Sequence, residues 1–227
     1  MLKVDLHLHS NEDPVDSFIQ HSAKDLIRHC AKLKFDVIAL TLHQKVHYPR
    51  DLVDFAKSKG VLMLKGCEAV IEGKDVLIYG LDDDQRNKIK TFDDLRKIKD
   101  QVLTIAPHPY YVIGGSLMGD LKKNIDLFDA IEFCHFYCRA FNLNRFARKT
   151  AAEFGKPLFA NSDAHSLNGI GWNYSLVDSD KNEDSVFEAI KKGNIEIKSK
   201  PYSTWGFGLK AAKILSGKPI EIIKSLF

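Results

Sequence analysis

Short apolar, β-branched runs alternate along this chain with amphipathic stretches of helical period. The runs predict strands at 2–9, 36–43, 61–68, 102–108, 130–135, 158–163 and 195–198. The stretches between them predict helices at 23–34, 49–59, 92–99, 117–124, 139–153 and 183–192. Asp51 and Asp54 crowd the start of the second helix, as the helix dipole prefers. Gly60, Gly155 and Gly193 each follow a predicted helix, where glycine commonly ends one. One insertion breaks the rhythm: 70–81 reads as a hairpin with Glu72-Gly73-Lys74-Asp75 as its turn. The last stretch, 202–227, predicts one or two helices, one opening near Pro219.

Strand and helix alternating in this way within one domain imply an α/β fold with a parallel sheet, either a closed barrel or an open doubly wound sheet. Neither GxGxxG nor GxxxxGK[ST] occurs, so the nucleotide-binding motifs of open sheets are absent. The polar residues favour the barrel. Barrels take their catalytic groups from the C-terminal ends of several strands, and here the first six predicted strands each end on His, Glu or Asp.

Composition narrows the class without changing it. The 227 residues fit one large domain or two small ones, and no Ser/Pro/Gly-rich linker divides them, so one is expected. Hydrophobic content of 44% and charged content of 28% are those of a folded chain, and a net charge of +3 does not demand a nucleic-acid partner. No apolar run is long enough for a membrane helix, and no apolar stretch follows a basic start, so neither a membrane nor a secretory leader is expected. Cys30, Cys67, Cys134 and Cys138 form no CxxC pair and read as reduced, packed thiols of a cytoplasmic protein. Oligomeric state is not readable.

The nine histidines are the informative residues, because six of them fall at predicted strand ends. His7 and His9, at i and i+2 of a strand, present two imidazoles to one side. Asp163 and His165 repeat that spacing, and His43, Glu68, His108 and His135 close the other strands. His21, His29 and His47 fall on predicted helix or loop surface and carry no role. Imidazole and carboxylate without thiolate suit zinc, manganese or iron. The set exceeds what one tetrahedral ion takes, so two or three divalent metal ions sharing Glu68 as a bridge would use it.

Taken in order, Asp5-Leu6-His7-Leu8-His9-Ser10, Thr41-Leu42-His43, Gly66-Cys67-Glu68, Ala106-Pro107-His108-Pro109 and Ser162-Asp163-Ala164-His165 resemble the PHP family, the polymerase and histidinol phosphatase superfamily. The resemblance spans roughly residues 1–200 and implies a distorted TIM-like (β/α)7 barrel there, with 201–227 as a helical extension packing on it. It implies a hydrolase of phosphoric esters. By position, the first metal takes His7, His9, Glu68 and Asp163; the second takes Glu68, His108 and His135; the third takes His43, His165 and a ligand from the loop after the first strand. Two departures stand out. The usual Ser-Asp-Gly is replaced by Ser10-Asn11-Glu12-Asp13-Pro14-Val15-Asp16, so the loop ligand is expected to be Asp13, with Asp16 next and Glu12 third. Leu42 stands where the family commonly has Asp, which loosens the case for the third ion.

The implied chemistry is attack on phosphorus by a metal-bridged hydroxide, with Glu68, Asp163 and His165 as the catalytic residues and the proton carrier left open between Asp163 and a histidine of the third site. Lys45 and Arg139 follow ligand strands and are candidates to grip the substrate phosphate; Tyr110, Tyr111, Phe136 and Tyr137 are candidates to stack a ring. The expected substrate is a small phosphate monoester, a nucleotide or an oligonucleotide end, and no attached polymerase module is expected. Two alternatives remain. An amidohydrolase-type C–N hydrolase also opens on HxH but commonly bridges its metals with a modified lysine, and Lys65 has the opposite strand parity from Glu68. A non-catalytic RNA-binding barrel subunit would have lost the ligands that this chain keeps.

Overall fold

The computed structural model describes residues 1–111 and 115–215, so the helix expected near Pro219 lies outside the described residues. The described residues form nine strands: β1 (Leu2–Leu8), β2 (Val37–Leu40), β3 (Leu62–Ile71), β4 (Lys74–Tyr79), β5 (Leu103–Ala106), β6 (Ala130–Phe133), β7 (Leu158–Ala160), β8 (Asn173–Val177) and β9 (Ile195–Ser199). The helices are α1 (Ala23–Lys32), α2 (Arg50–Ser58), α3 (Asp83–Asn87), α4 (Phe92–Ile98), α5 (Asp120–Lys123), α6 (Asn144–Phe154), α7 (Glu183–Lys192) and α8 (Thr204–Leu215). The start of α6 is later than expected because Cys138–Phe141 close a turn, the Cys138 amide donating to the Phe141 carbonyl at 2.9 Å.

The strands make one sheet in the order β7-β6-β5-β4-β3-β2-β1-β8-β9. It is nearly a barrel, but not the expected parallel alternation. Two parallel triplets, β1-β2-β3 and β5-β6-β7, are separated by the antiparallel β4, and β8 and β9 are each antiparallel to their neighbours. The hairpin β3–β4 turns at Glu72 and Gly73, both at positive φ, 50° and 77°. The unpredicted strand, β8, carries Asn173 and Ser175, which are polar yet buried. They close the barrel: the Asn173 amide donates to the Phe133 and Asn161 carbonyls, and the Ser175 hydroxyl bonds both the amide and the carbonyl of Ala160. A hydrophobic criterion misses a strand whose buried positions serve as hydrogen-bonding stitches.

Val4, Leu6, Leu64, Leu77, Tyr79, Ile105, Ala130 and Phe159, from β1 and β3 to β7, meet in an interior core with Val186 and Ile190 of α7. Outside, α1 and α2 pack Leu26, Ile27 and Leu52 on Ile38, Leu40 and Met63, while α4, α5 and α6 cover Cys67, Ile71, Ile78 and Ile131. Along β4 the sides alternate, so that Leu77 and Tyr79 point in and Val76 and Ile78 point out.

The register of β1 on β2 slips between Asp5 and Leu8: Asp5 pairs with Ile38 and Leu8 with Leu40. This bulge keeps Leu6 in the interior core while His7 and His9 also face inward. Its polar groups are captured by side chains. The Leu6 amide donates to Asn161 Oδ1 at 2.8 Å, the His7 amide to Asp5 Oδ1 at 3.3 Å, and the Tyr79 hydroxyl donates to the Leu6 carbonyl at 2.8 Å. Gly66 makes room for that tyrosine, since a Cβ there would lie 2.7 Å from its ring.

Two substitutions test the support of the bulge. Gly66→Ala forces the ring aside and costs about 1–3 kcal/mol. Tyr79→Phe leaves the Leu6 carbonyl buried without that donor and costs about 1–3 kcal/mol. Urea unfolding curves read both; wild-type midpoints would refute the account.

Candidate metal centre

The strand ends converge at one end of the barrel. Glu68 near the end of β3 lies at its centre, 2% exposed. Its Oε2 is 3.2 Å from His7 Nε2, 3.5 Å from His9 Nε2 and 3.4 Å from His43 Nε2, while its Oε1 is 3.1 Å from His108 Nε2. Asp163 Oδ1 lies 3.4 Å from His7 Nε2, 3.5 Å from His9 Nε2 and 3.6 Å from His165 Nδ1. His108 and Asp163 both adopt positive φ, 27° and 47°, in a region that side-chain-bearing residues seldom occupy, as backbones at functional sites often do. His135, just beyond β6, lies with its ring beside those of Phe136 and Tyr202.

The loop after β1 supplies two carboxylates with different surroundings. Asp13 is buried, its Oδ1 accepting the Val15 and Asp16 amides and its Oδ2 lying 3.1 Å from both His9 Nδ1 and His43 Nδ1 and accepting the His43 amide. Asp16 Oδ2 lies 2.8 Å from His165 Nε2 and 3.5 Å from His43 Nδ1. Glu12 is turned away, accepting the Ala23 amide at the start of α1.

Three groups of donor atoms each lie within 4.8 Å of one another: His9, Asp13, Asp16 and His43; His7, His9 and Asp163; His7, Glu68 and His108. Donors about 2.1 Å from a shared tetrahedral ion stand about 3.4 Å apart, and the His9 Nε2 separations of 3.5 Å from both Glu68 and Asp163 match that spacing. His9 Nε2 is buried with no hydrogen-bond partner among the described residues. The donors fit divalent cations.

The charges agree. Burial alone would raise the Glu68 and Asp163 carboxyls, yet the facing imidazoles hold both well below the usual carboxylate range. Burial would lower His7, His43 and His108, but the carboxylates win: Asp163, Glu68 and Glu132 hold His7 well above its ordinary value, and Asp13 and Glu68 lift His43 and His108 respectively to about 9.

Several residues in this centre were not anticipated from the sequence. Glu132 of β6 is fully buried. Its Oε1 lies 3.0 Å from His7 Nδ1 and accepts the Asn161 amide side chain, while its Oε2 accepts the His108 backbone amide at 2.7 Å. A carboxylate behind a ligating imidazole fixes its tautomer and ring orientation. The available signal was a lone charge inside the apolar run Ala130–Phe133. Asp5 accepts the Ser162 amide, joining β1 to the segment that carries Asp163, and burial lifts its carboxyl to about 7. His21, expected on the surface, is buried with Nε2 2.9 Å from the His9 carbonyl oxygen. Lys65 lies over the Tyr48 ring. Lys45 Nζ donates to the Glu12 carbonyl at 3.2 Å, and Arg139 is exposed in the Cys138–Phe141 turn.

Residues 142–195 match the family model described as PHP-associated. The chain matches none of the curated proteins. Among solved structures it resembles a two-domain protein from Bacteroides vulgatus containing a predicted PHP-like metal-dependent phosphoesterase, at 17% identity and TM-score 0.64, over 87% of this chain and 64% of that one. The chain thus spans under two thirds of that protein. It also resembles an amidohydrolase from Chromobacterium violaceum solved with sulfate and no metal, at 13% identity and TM-score 0.52, over 72% of this chain and 87% of that one. A third is the lesion-specific endonuclease PfuEndoQ from Pyrococcus furiosus, at 14% identity and TM-score 0.56, over 97% of this chain and 67% of that one. At these identities the likeness is one of fold. Among the described residues no helix is long and apolar enough to cross a membrane, and the four cysteines are buried and free.

The charge balance predicts a pH dependence for metal-free protein. His43 and His108 titrate at about 9 when folded, against about 6.5 unfolded. Their stabilisation is complete below about 6.5 and is lost as pH rises through about 9. Chelator-treated protein should therefore melt lower at pH 9 than at pH 6.5. Divalent metal should offset the fall, since neutral imidazole is the ligating form. A melting temperature independent of pH over that window would contradict the charge assignment.

Proposed function

We propose that this chain is a PHP-domain, metal-dependent phosphoesterase, hydrolysing phosphate mono- or diesters at the centre at the barrel mouth. The observation that carries the reading is Glu68, whose two oxygens divide between His7, His9 and His43 on one side and His108 on the other. That is the disposition of a bridging carboxylate. His7, His9, Glu68 and Asp163 would hold one ion, Glu68 with His108 and His135 a second, and His43, His165 and Asp16 a third. Asp16 is preferred to Asp13, because the Asp13 oxygens already serve His9, His43 and two backbone amides, whereas Asp16 Oδ2 faces His165 and His43.

Zinc, manganese or iron bound there would supply Lewis acidity and lower the pKa of water. The chain's own residues do the rest. Glu132 and Asn161 hold His7 in orientation. Lys45, whose Nζ donates to the Glu12 carbonyl, would offer its remaining donors to a phosphoryl oxygen. C–N hydrolysis by a lysine-bridged centre is disfavoured, since Lys65 lies against Tyr48 and Glu68 would take the bridging position. Small phosphate esters, nucleotides and oligonucleotide ends remain the substrate classes.

Elemental analysis of protein purified without chelator should find two or three divalent ions per chain. With added manganese it should hydrolyse p-nitrophenyl phosphate or bis-p-nitrophenyl phosphate, and Glu68→Ala should reduce the activity to background. Asp16→Asn should lose one metal equivalent with the melting temperature retained, whereas Asp13→Asn should chiefly lower the melting temperature. Protein that retains no metal, shows no metal-stimulated hydrolysis and binds RNA with strong salt dependence would replace this reading with a non-catalytic binding barrel.

A further inference from the structure

The hairpin β3–β4 carries a carboxylate that neither the ligand set nor its supports use. The β3–β4 register is unbroken: Gly66 faces Tyr79, Glu68 faces Leu77 and Val70 faces Asp75. Tyr79 and Leu77 point into the barrel, so Asp75 is the next inward position of β4, one layer beyond Glu68 toward the mouth. It is held there. Its amide donates to the Gly115 carbonyl at 2.7 Å, neighbouring Lys74 Nζ donates to the Ser116 carbonyl, and the Ser116 hydroxyl donates to the His108 carbonyl at 2.9 Å. A side chain at 115 would collide with the Asp75 carboxylate.

Resting on the phosphoesterase reading, we propose that Asp75 is the general acid that protonates the leaving alcohol. The P–O bond to the leaving oxygen breaks with its electron pair going to that oxygen, which takes the Asp75 proton. A new P–O bond forms to the oxygen of water, whose proton passes to solvent, and Asp75 is reprotonated from solvent. Glu68 and Asp163 are poorly suited, because each already faces several imidazoles of the proposed ligand set. Burial, with the charge of Glu68 behind it, raises the Asp75 carboxyl against the pull of His108, His43 and His7.

The test compares leaving groups in metal-loaded protein. A p-nitrophenolate departs without a proton, whereas the alkoxide of glycerol phosphate needs one. General acids contribute about 100-fold or more, so Asp75→Asn should lower kcat/KM for glycerol phosphate about 100-fold more than for p-nitrophenyl phosphate, with metal content unchanged. Equal losses on both esters, no loss on either, or loss of a metal equivalent would each overturn the proposal. Asp75→Glu should restore part of the glycerol phosphate activity, and failure to do so in folded, metal-loaded protein would also count against it. A wild-type protein that hydrolyses neither ester would overturn the phosphoesterase reading itself, and this proposal with it.

Discussion

Everything at the mouth of this barrel follows from the burial of opposite charges against one another. Five carboxylates and five imidazoles, Asp13, Asp16, Glu68, Glu132 and Asp163 with His7, His9, His43, His108 and His165, meet in a space largely closed to water. An isolated charge so placed would cost several kcal/mol. The cost is offset only if each group faces an opposite one and its spare atoms find partners. That requirement explains why Glu132 contacts both the His7 ring and the His108 backbone, and why Asp13 spends both oxygens on its neighbours. It also explains why a divalent ion fits: cations replace protons among donors already spaced to share them.

The departures from a regular barrel serve this arrangement. Without the bulge in β1, Leu6 and His7 would point to opposite sides, and the strand would give up either its core contact or its first imidazole. The antiparallel β4 has a related effect. A parallel strand would present its C-terminal end at the mouth after a crossover; the hairpin instead brings the beginning of β4 there, directly beside the end of β3. Two inward layers therefore rise together, Glu68 with Leu77 and then Val70 with Asp75. The seam is closed by Asn173 and Ser175, which carry the Asn161–Asp163 segment within reach of β1.

What the sequence made legible was whatever produced a pattern along one segment. Alternation exposed most of the strands, and the repeated polar endings pointed to the side chains that the fold brings together, because a histidine at a strand's end is visible without knowing its neighbours. The hairpin at 70–81 was legible for the same local reason. What stayed hidden was relational. Glu132 is one charge in an apolar strand, and its meaning lies in His7, 125 positions away. Strand β8 has a buried polar side that resembles a loop until its partners on β6 and β7 are known.

The choice between Asp13 and Asp16 shows the limit most sharply, because both lie in one short loop and both approach a histidine. The altered motif after the first strand ranks Asp13 first, and Asp13 does approach the strand, with its Oδ2 3.1 Å from His9 Nδ1. Asp13 Oδ1 accepts the Val15 and Asp16 amides and its Oδ2 the His43 amide, and this is what favours Asp16 as the loop ligand in the proposed reading. By bonding the Asp16 amide, Asp13 shapes the turn that presents Asp16 to His43 and His165. A sequence lists two acids in one loop; the hydrogen bonds separate the one that builds the turn from the one the turn presents.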